Sequence, residues 1–128
     1  MNNTHLPNQQ KIWSSPGWSE YALLDFGNGR RLERFGELIL VRPDVRAAAK
    51  PTLPELTWRQ ASAQFIAQSD KTGAWKFRAK LPEKWQMQWR DVSFWAKITP
   101  TKHTGVFPEQ AVEWQLLHEC IVAAKARQ

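Results

Sequence analysis

Tyr21-Ala-Leu-Leu-Asp-Phe-Gly-Asn-Gly-Arg-Arg-Leu-Glu-Arg-Phe35 decides the fold class. Its centre, Asn28-Gly29, is the strongest short-range hairpin signal, because both residues accept the positive φ that a tight two-residue turn needs. The flanks therefore read as strands, Tyr21 to Phe26 going out and Arg30 to Phe35 returning. Working downstream, Glu37-Leu-Ile-Leu-Val41 is a third apolar run, stopped at Arg42-Pro43 because proline cannot donate to a ladder. Val45 to Lys50 has weak helix propensity, Pro51-Thr-Leu-Pro54 is a connector, Leu53 to Gln60 holds a short helical turn, and Ala61 to Ala67 reads as another strand.

After the turn cluster Ser69-Asp-Lys-Thr-Gly73 the pattern alternates three times. Ala74 to Lys80 sets Trp75 and Phe77 on one face and Lys76, Arg78 and Lys80 on the other, until Leu81-Pro82 breaks it. Trp85, Met87 and Trp89 repeat the alternation, and Val92 to Thr99 sets Phe94, Ala96 and Ile98 against Trp95 and Lys97. Three such runs in succession predict an antiparallel meander. Pro100 to Pro108 is a loop. From there to Arg127 the period changes to that of a helix, with Val112, Leu116, Leu117, Cys120, Ile121 and Ala124 as an apolar stripe. Pro108 and Glu109 suit its start; Lys125 and Arg127 suit its end. Upstream, Trp13-Ser-Ser-Pro-Gly-Trp18 reads as a turn between two indoles.

The expected architecture is mainly β within the α+β class. A small twisted antiparallel sheet, or a partly open barrel, is followed by one C-terminal amphipathic helix. Residues 1–15 are expected to be a flexible segment, 16–99 a β-rich domain, and 100–128 a loop and helix.

Composition narrows the function classes. The 128 residues include eight tryptophans and are 42% hydrophobic, enough for one modest core. A single cysteine, Cys120, excludes an internal disulfide framework and a cysteine-based zinc site, and its place on the apolar stripe predicts a buried, inert thiol. The polar start carries no signal-peptide pattern, and no stretch reaches the roughly 18 apolar residues of a membrane span. A cytoplasmic protein with no membrane partner is the expectation.

The net charge of +6 favours anionic partners. It is concentrated between residues 71 and 102, where Lys71, Lys76, Arg78, Lys80, Lys84, Arg90, Lys97 and Lys102 face only Glu83 and Asp91. Basic residues interleaved with aromatic ones suit nucleic acid, since bases stack on rings while cations neutralise phosphates. Lys76, Arg78, Lys80, Arg90 and Lys97 are the nucleic-acid-facing candidates. The competing reading makes Trp75, Phe77, Trp85 and Trp89 core, with the lysines on a solvated face.

Other motifs carry less chemistry. Gly27-Asn-Gly29 lacks the third glycine of a dinucleotide loop, as Leu32 stands there, and a strand rather than a helix follows it. His5, His103 and His118 have no metal-ligand spacing, so no metal is expected, and no catalytic constellation is visible. Thr99-Pro-Thr-Lys-His-Thr-Gly-Val-Phe-Pro-Glu-Gln110 is denser: a turn glycine and an exposed Phe107 lead into a helix start, which is a binding loop or merely a helix cap.

Lys102-His-Thr-Gly-Val-Phe-Pro-Glu-Gln-Ala-Val-Glu-Trp114 resembles the signature preceding the catalytic domain in a family of bacterial S-adenosylmethionine-dependent methyltransferases. That family is related to the large-subunit ribosomal RNA (23S rRNA) cytosine and guanine methyltransferases. Tyr21 to Gly36, Val41-Arg-Pro43, Leu81-Pro-Glu-Lys-Trp85 and Trp95 to Pro100 also resemble its N-terminal region, so the likeness runs in order over most of residues 16 to 120. In the family a strand, a glycine-rich cofactor loop and a doubly wound sheet follow this point, and this chain stops before them. The resemblance thus implies the accessory, substrate-presenting part of an RNA-modifying enzyme whose catalytic domain is elsewhere and is a partner for the helix.

It further implies that Lys102, Thr104, Gly105, Phe107, Glu109 and Gln110 line the cofactor and substrate edge in the full-length parent. There S-adenosylmethionine binds; this chain alone is expected neither to bind it nor to transfer methyl groups. Two other readings stay open: a free-standing nucleic-acid-binding module, and an interaction domain that docks or self-associates through its C-terminal helix.

Overall fold

A computed structural model describes residues 18–127. The expected flexible segment 1–15 and the first part of the Trp13–Trp18 turn lie outside the described residues. The described strands are β1 (Tyr21–Gly27), β2 (Arg30–Phe35), β3 (Leu38–Pro43), β4 (Ala63–Ala67), β5 (Gly73–Phe77), β6 (Lys84–Trp89) and β7 (Val92–Lys97). The helices are α1 (Glu55–Arg59) and α2 (Ala111–Ala126), with a 3-10 turn at Pro108–Gln110. The chain divides into two compact units, one spanning Gly17–Pro108 and the other including the C-terminal stretch from Glu109.

The mainly β expectation holds, in two open sheets rather than a barrel. One sheet has five strands in the order β1-β2-β3-β4-β5, and the other is the β6–β7 hairpin. Two details differ from the sequence reading. First, β3 and β4 run parallel, pairing Leu40 with Ala63 and Val41 with Gln64, so the large sheet is mixed rather than wholly antiparallel. A parallel neighbour requires a long crossover, which the stretch from Asp44 to Ser62, carrying α1, provides. Second, the three alternating runs do not form one meander. β5 pairs back onto β4, and Leu81-Pro82 separates it from the β6–β7 hairpin.

Asn28 and Gly29 form the β1–β2 turn with φ of 52° and 76°, as the hairpin signal requires. The connector after β3 lies against this turn: Asn28 N–H donates to Ala49 O at 2.9 Å and Gly29 N–H to Ala47 O at 2.8 Å. Gly27 has φ of 150°, and a β-carbon there would lie 2.5 Å from Pro51 N and 2.6 Å from Ala49 O. Only glycine permits that approach.

A β-bulge in β1 decides which face Asp25 occupies. Leu23 pairs with Glu33 but Asp25 pairs with Leu32, so the register shifts at Leu24. An inserted residue reverses the side-chain parity that follows it. Asp25 therefore joins the face of Leu32 and Val41, where Trp58, Ala61, Ile39 and Leu53 complete a core cluster. There its carboxylate accepts from Thr52 N–H (3.1 Å), Leu53 N–H (2.8 Å) and Trp58 Nε1–H (3.0 Å). Burial by itself pushes this carboxyl up, but the Leu53, Thr52 and Trp58 donors outweigh it and hold the group below the usual carboxylate range.

The opposite face carries Tyr21, Glu33, Phe35 and Leu40. The β6–β7 hairpin contributes Met87, Trp89 and Ala96 as buried residues. Residues just before β1 tie it in place: Trp18 Nε1–H donates to Gln88 O at 3.0 Å, Glu20 Oε2 accepts from Gln88 N–H, and the Trp18 ring stacks on Tyr21 at 5.2 Å.

In α2 the thiol expectation fails. Cys120 is exposed, as are Leu116, Leu117, Ile121 and Val122, each more than half accessible. Helical period reports which residues share a side, not whether anything covers that side. No helix among the described residues is long and apolar enough to cross a membrane.

Candidate functional site

The best-organised polar centre lies inside the Gly17–Pro108 unit, and it is a buried ion cluster. Glu33 is fully buried. Arg42 donates to it through Nε and Nη2, both at 2.7 Å, and Tyr21 O–H donates to Oε2 at 2.6 Å. Arg31 Nε approaches Glu33 at 3.8 Å and Asp44 at 3.4 Å. Burial, reinforced by the Glu33 carboxylate, pushes the Tyr21 phenol far above its ordinary value, so it stays a neutral donor. The planar guanidinium matches a carboxylate in two parallel bonds. This saturation leaves Glu33 no open side for a substrate, so the cluster organises structure rather than performing acid–base chemistry.

Arg42 also donates from Nη1 to Lys102 O at 3.3 Å, linking the cluster to the loop singled out from sequence. A second anchor is Trp75, whose Nε1–H is shared between Thr99 O and Thr101 O, each at 2.8 Å. Thr99 Oγ1 donates to His103 O at 2.6 Å, and Lys97 N–H donates to Thr104 O at 3.1 Å. The loop is thus fixed through its backbone, leaving particular side chains outward.

Lys102 and His103 are exposed, and the His103 ring lies 5.3 Å from that of Phe107, itself 43% exposed. Gly105 turns the chain at φ of 83° in open space. Thr104 is fully buried, with Val106 and Pro108 buried beside it in sequence. Of the six sequence candidates, Lys102, Thr104, Gly105 and Phe107 fall in this unit, and only Thr104 is inaccessible. Glu109 and Gln110 are exposed in the other unit, where Gln110 occupies the N-cap of α2 without a side-chain capping bond.

The basic candidates are all exposed; Lys76 and Lys97 lie on strands of two separate sheets, and Arg78, Lys80 and Arg90 lie in the loops and turn beside them. Lys76 lies on β5, while Arg78 and Lys80 follow it around a shallow depression lined by Phe77 and Leu81. Arg78 is engaged with the main chain, donating from Nη1 to Gln60 O at 3.2 Å. Arg90 holds a φ of 54° in the β6–β7 turn and lies over Trp89 at 4.9 Å. Lys97 pairs with Lys84 at the far end of that hairpin, roughly 17 Å from the turn by strand rise. Arg90 and Lys97 therefore do not share one compact site. Among the aromatic residues of this region Met87's neighbour Trp89 is core, Trp75 and Trp85 are half-buried, and Phe77 is 51% exposed, so the all-core reading fails at Phe77.

Sequence reasoning passed over three residues that matter here. Glu33 was detectable as an acid sharing period-2 parity with Phe35 within one strand, while its partnership with Tyr21 depends on the bulge in β1. Trp95, 57% exposed, and Lys84, whose ammonium lies 4.5 Å from the centre of the Trp95 ring, form an outward contact on the β6–β7 hairpin. Among the described residues no group of three or more His, Cys, Asp or Glu side chains is arranged to hold a metal ion. The Gly-x-Gly element is the turn of an antiparallel hairpin with the connector packed against Gly27, so it offers no cradle for a nucleotide-like cofactor.

The chain matches a crystal structure of the SAM dependent methyltransferase from Agrobacterium tumefaciens, with a TM-score of 0.77 and 37% sequence identity. This is a methyltransferase relationship. The match covers 84% of this chain and 34% of that one, so the chain corresponds to about a third of the methyltransferase's length. No protein-family model matches the chain, and no curated protein matches it.

Proposed function

We propose that this chain is the β-rich, substrate-presenting N-terminal part of an S-adenosylmethionine-dependent methyltransferase that modifies RNA, ribosomal RNA in particular, in the cytoplasm. The observation that carries the reading is the 37% identity over 84% of the chain to one third of a SAM dependent methyltransferase. The net charge of +6 and the exposed cations at Lys76, Lys80, Arg90 and Lys97 favour a polyanionic substrate.

The described residues of this chain do not fit the cofactor by themselves, since the Gly-x-Gly turn is occupied by the chain's own connector. In this reading S-adenosylmethionine is held by a separate catalytic domain of the full-length enzyme, and methyl transfer takes place there. The loop from Lys102 to Phe107 supplies an edge to that pocket, with the exposed Phe107 ring as an apolar wall and Lys102 as a cation for phosphate or carboxylate. Gln110, free of a capping duty, offers an amide that both donates and accepts. The exposed Leu116, Leu117, Ile121 and Val122 on α2 are the surface for the catalytic domain, and in its absence for a second copy of the helix.

The test is a replacement. The matched third of the Agrobacterium enzyme is exchanged for this chain, and transfer of labelled methyl groups from S-adenosylmethionine to bacterial total RNA is measured alongside cofactor binding. The expected result is RNA methylation by the chimera and none by the enzyme lacking that third. A chimera that binds the cofactor yet methylates no better than the deletion overturns the reading, as does an intact enzyme that methylates no RNA.

A further inference from the structure

We infer that the outward face of the β6–β7 hairpin is a stacking platform for single-stranded RNA, with Trp95 receiving a base and Lys84 and Lys97 receiving the flanking phosphates. Strand parity sets Lys84, Gln86 and Gln88 of β6 beside Ser93, Trp95 and Lys97 of β7, and all six are exposed. The other side of the hairpin carries the buried Met87, Trp89 and Ala96, so the platform is a rigid, half-buried ribbon rather than a loop.

Two features of this face are costs to the free protein. Lys84 and Lys97 are direct cross-strand partners, and like charges facing each other at that spacing are destabilising. Among the described residues neither makes an ion pair with a carboxylate. Trp95 leaves more than half its large apolar surface in water. An anion between the lysines and a flat ring on the indole remove both costs, and a nucleotide carries both groups.

Lys84 now rests 4.5 Å from the Trp95 ring centre. An exposed cation–π contact is worth about 0.5–1 kcal/mol, whereas stacking a base on an aromatic side chain is worth about 1–3 kcal/mol. A base therefore displaces the ammonium, whose flexible stem lets it move to a phosphate. Gln86, directly across from Trp95, adds an amide that reaches a base edge. The indole favours a nucleic-acid strand over an acidic peptide, because a peptide carboxylate satisfies the lysines and leaves the ring bare.

The choice of RNA over DNA rests on the proposed function; the platform does not. The experiment is fluorescence-anisotropy titration of the 128-residue protein with labelled single-stranded RNA, single-stranded DNA, duplex RNA and polyglutamate over a range of salt. Trp95→Ala is expected to weaken single-stranded RNA binding about tenfold or more, and Trp95→Phe to retain most of it. Lys84→Gln with Lys97→Gln should make the log–log salt slope shallower by about 1.4, at about 0.7 per phosphate on a single strand. All three positions are exposed, and unchanged circular dichroism checks the fold. Equal binding by Trp95→Ala and the wild type overturns the inference, as does tighter binding of duplex RNA or of polyglutamate. Equal binding of single-stranded DNA and RNA through Trp95 supports the platform and counts against the RNA-modifying reading.

Discussion

Arg42 grips Glu33 through two 2.7 Å hydrogen bonds in a site where Glu33 has no contact with solvent. Removing one partner strands a buried charge, which typically costs about 3–5 kcal/mol. Arg42→Met is therefore expected to lower unfolding free energy by that amount in urea titration at neutral pH. The double substitution Glu33→Leu with Arg42→Met is expected to cost less than Arg42→Met alone, because no charge remains buried. The Tyr21 hydroxyl, deprived of its acceptor, keeps the recovery incomplete. A double variant as damaged as the sum of the singles would show that the ion pair is not the coupled unit described here.

Two shifted groups on opposite faces, Asp25 and Tyr21, give stability opposite pH limits, and Asp44, which burial alone would raise but Arg46 and Arg31 hold low, adds to the acid one. Asp25 has a lowered carboxyl, so its contribution is present above its unfolded value near 4 and is lost as pH falls through the folded one. Tyr21 has a raised phenol, so its contribution is complete below about pH 10 and is lost as pH rises further. Thermal melts from pH 2 to 11 should show both limbs. Asp25→Asn should make the acid limb shallower, leaving the share of Asp44, and cost about 2 kcal/mol at pH 7, while Tyr21→Phe should flatten the alkaline one. Unchanged limbs in these variants would assign the pH dependence to other groups.

Two glycines two residues apart should respond very differently to alanine. At Gly27 the new methyl meets Pro51 N and Ala49 O below contact distance, whereas at Gly29 it enters open space and meets only the positive-φ penalty. Gly29→Ala is expected to cost about 1 kcal/mol, and Gly27→Ala several times that, because the 44–51 connector must move. Chemical denaturation of both variants checks the order, and the reverse order would mean that the connector yields easily.

The exposed apolar residues of α2 are expected to drive self-association of this chain at high concentration. Light scattering should report a concentration-dependent mass above that of the 14.9 kDa monomer. Leu116→Glu together with Ile121→Glu should restore the monomer. A wild-type protein that stays monomeric at millimolar concentration removes the helix as an association surface.

The local features of this fold were legible and the non-local ones were not. Asn28-Gly29 and the alternation on either side located the first hairpin, and β2 begins and ends where the reading put it, at Arg30 and Phe35. The alternation also set Trp95 beside Lys97 and away from Phe94, as observed. Partner choice is not encoded in a strand's own pattern, so the parallel β3–β4 contact and the return of β5 to β4 were hidden. The bulge at Leu24 was hidden for a related reason: an inserted residue leaves composition unchanged while reversing every later side chain. Asp25 consequently read only as one residue of the outgoing strand, when it is the acceptor that fastens the Thr52–Leu53 backbone and Trp58. In the loop from Lys102 to Phe107, Gly105 and Phe107 were readable from residue type. The burial of Thr104 depended on tertiary anchors at Arg42 and Trp75.

The parallel junction has a kinetic meaning. β1, β2 and β3 are joined by tight turns and can assemble from near neighbours in the chain, but β4 must wait until the Asp44–Ser62 excursion has closed on itself. Only two residue pairs, Leu40 with Ala63 and Val41 with Gln64, then define that seam in the ladder. The sheet is thus expected to open as two cooperative units that share a narrow border. Amide exchange should find β4–β5 opening at lower free energy than β1–β3, at a boundary that follows the change of strand direction.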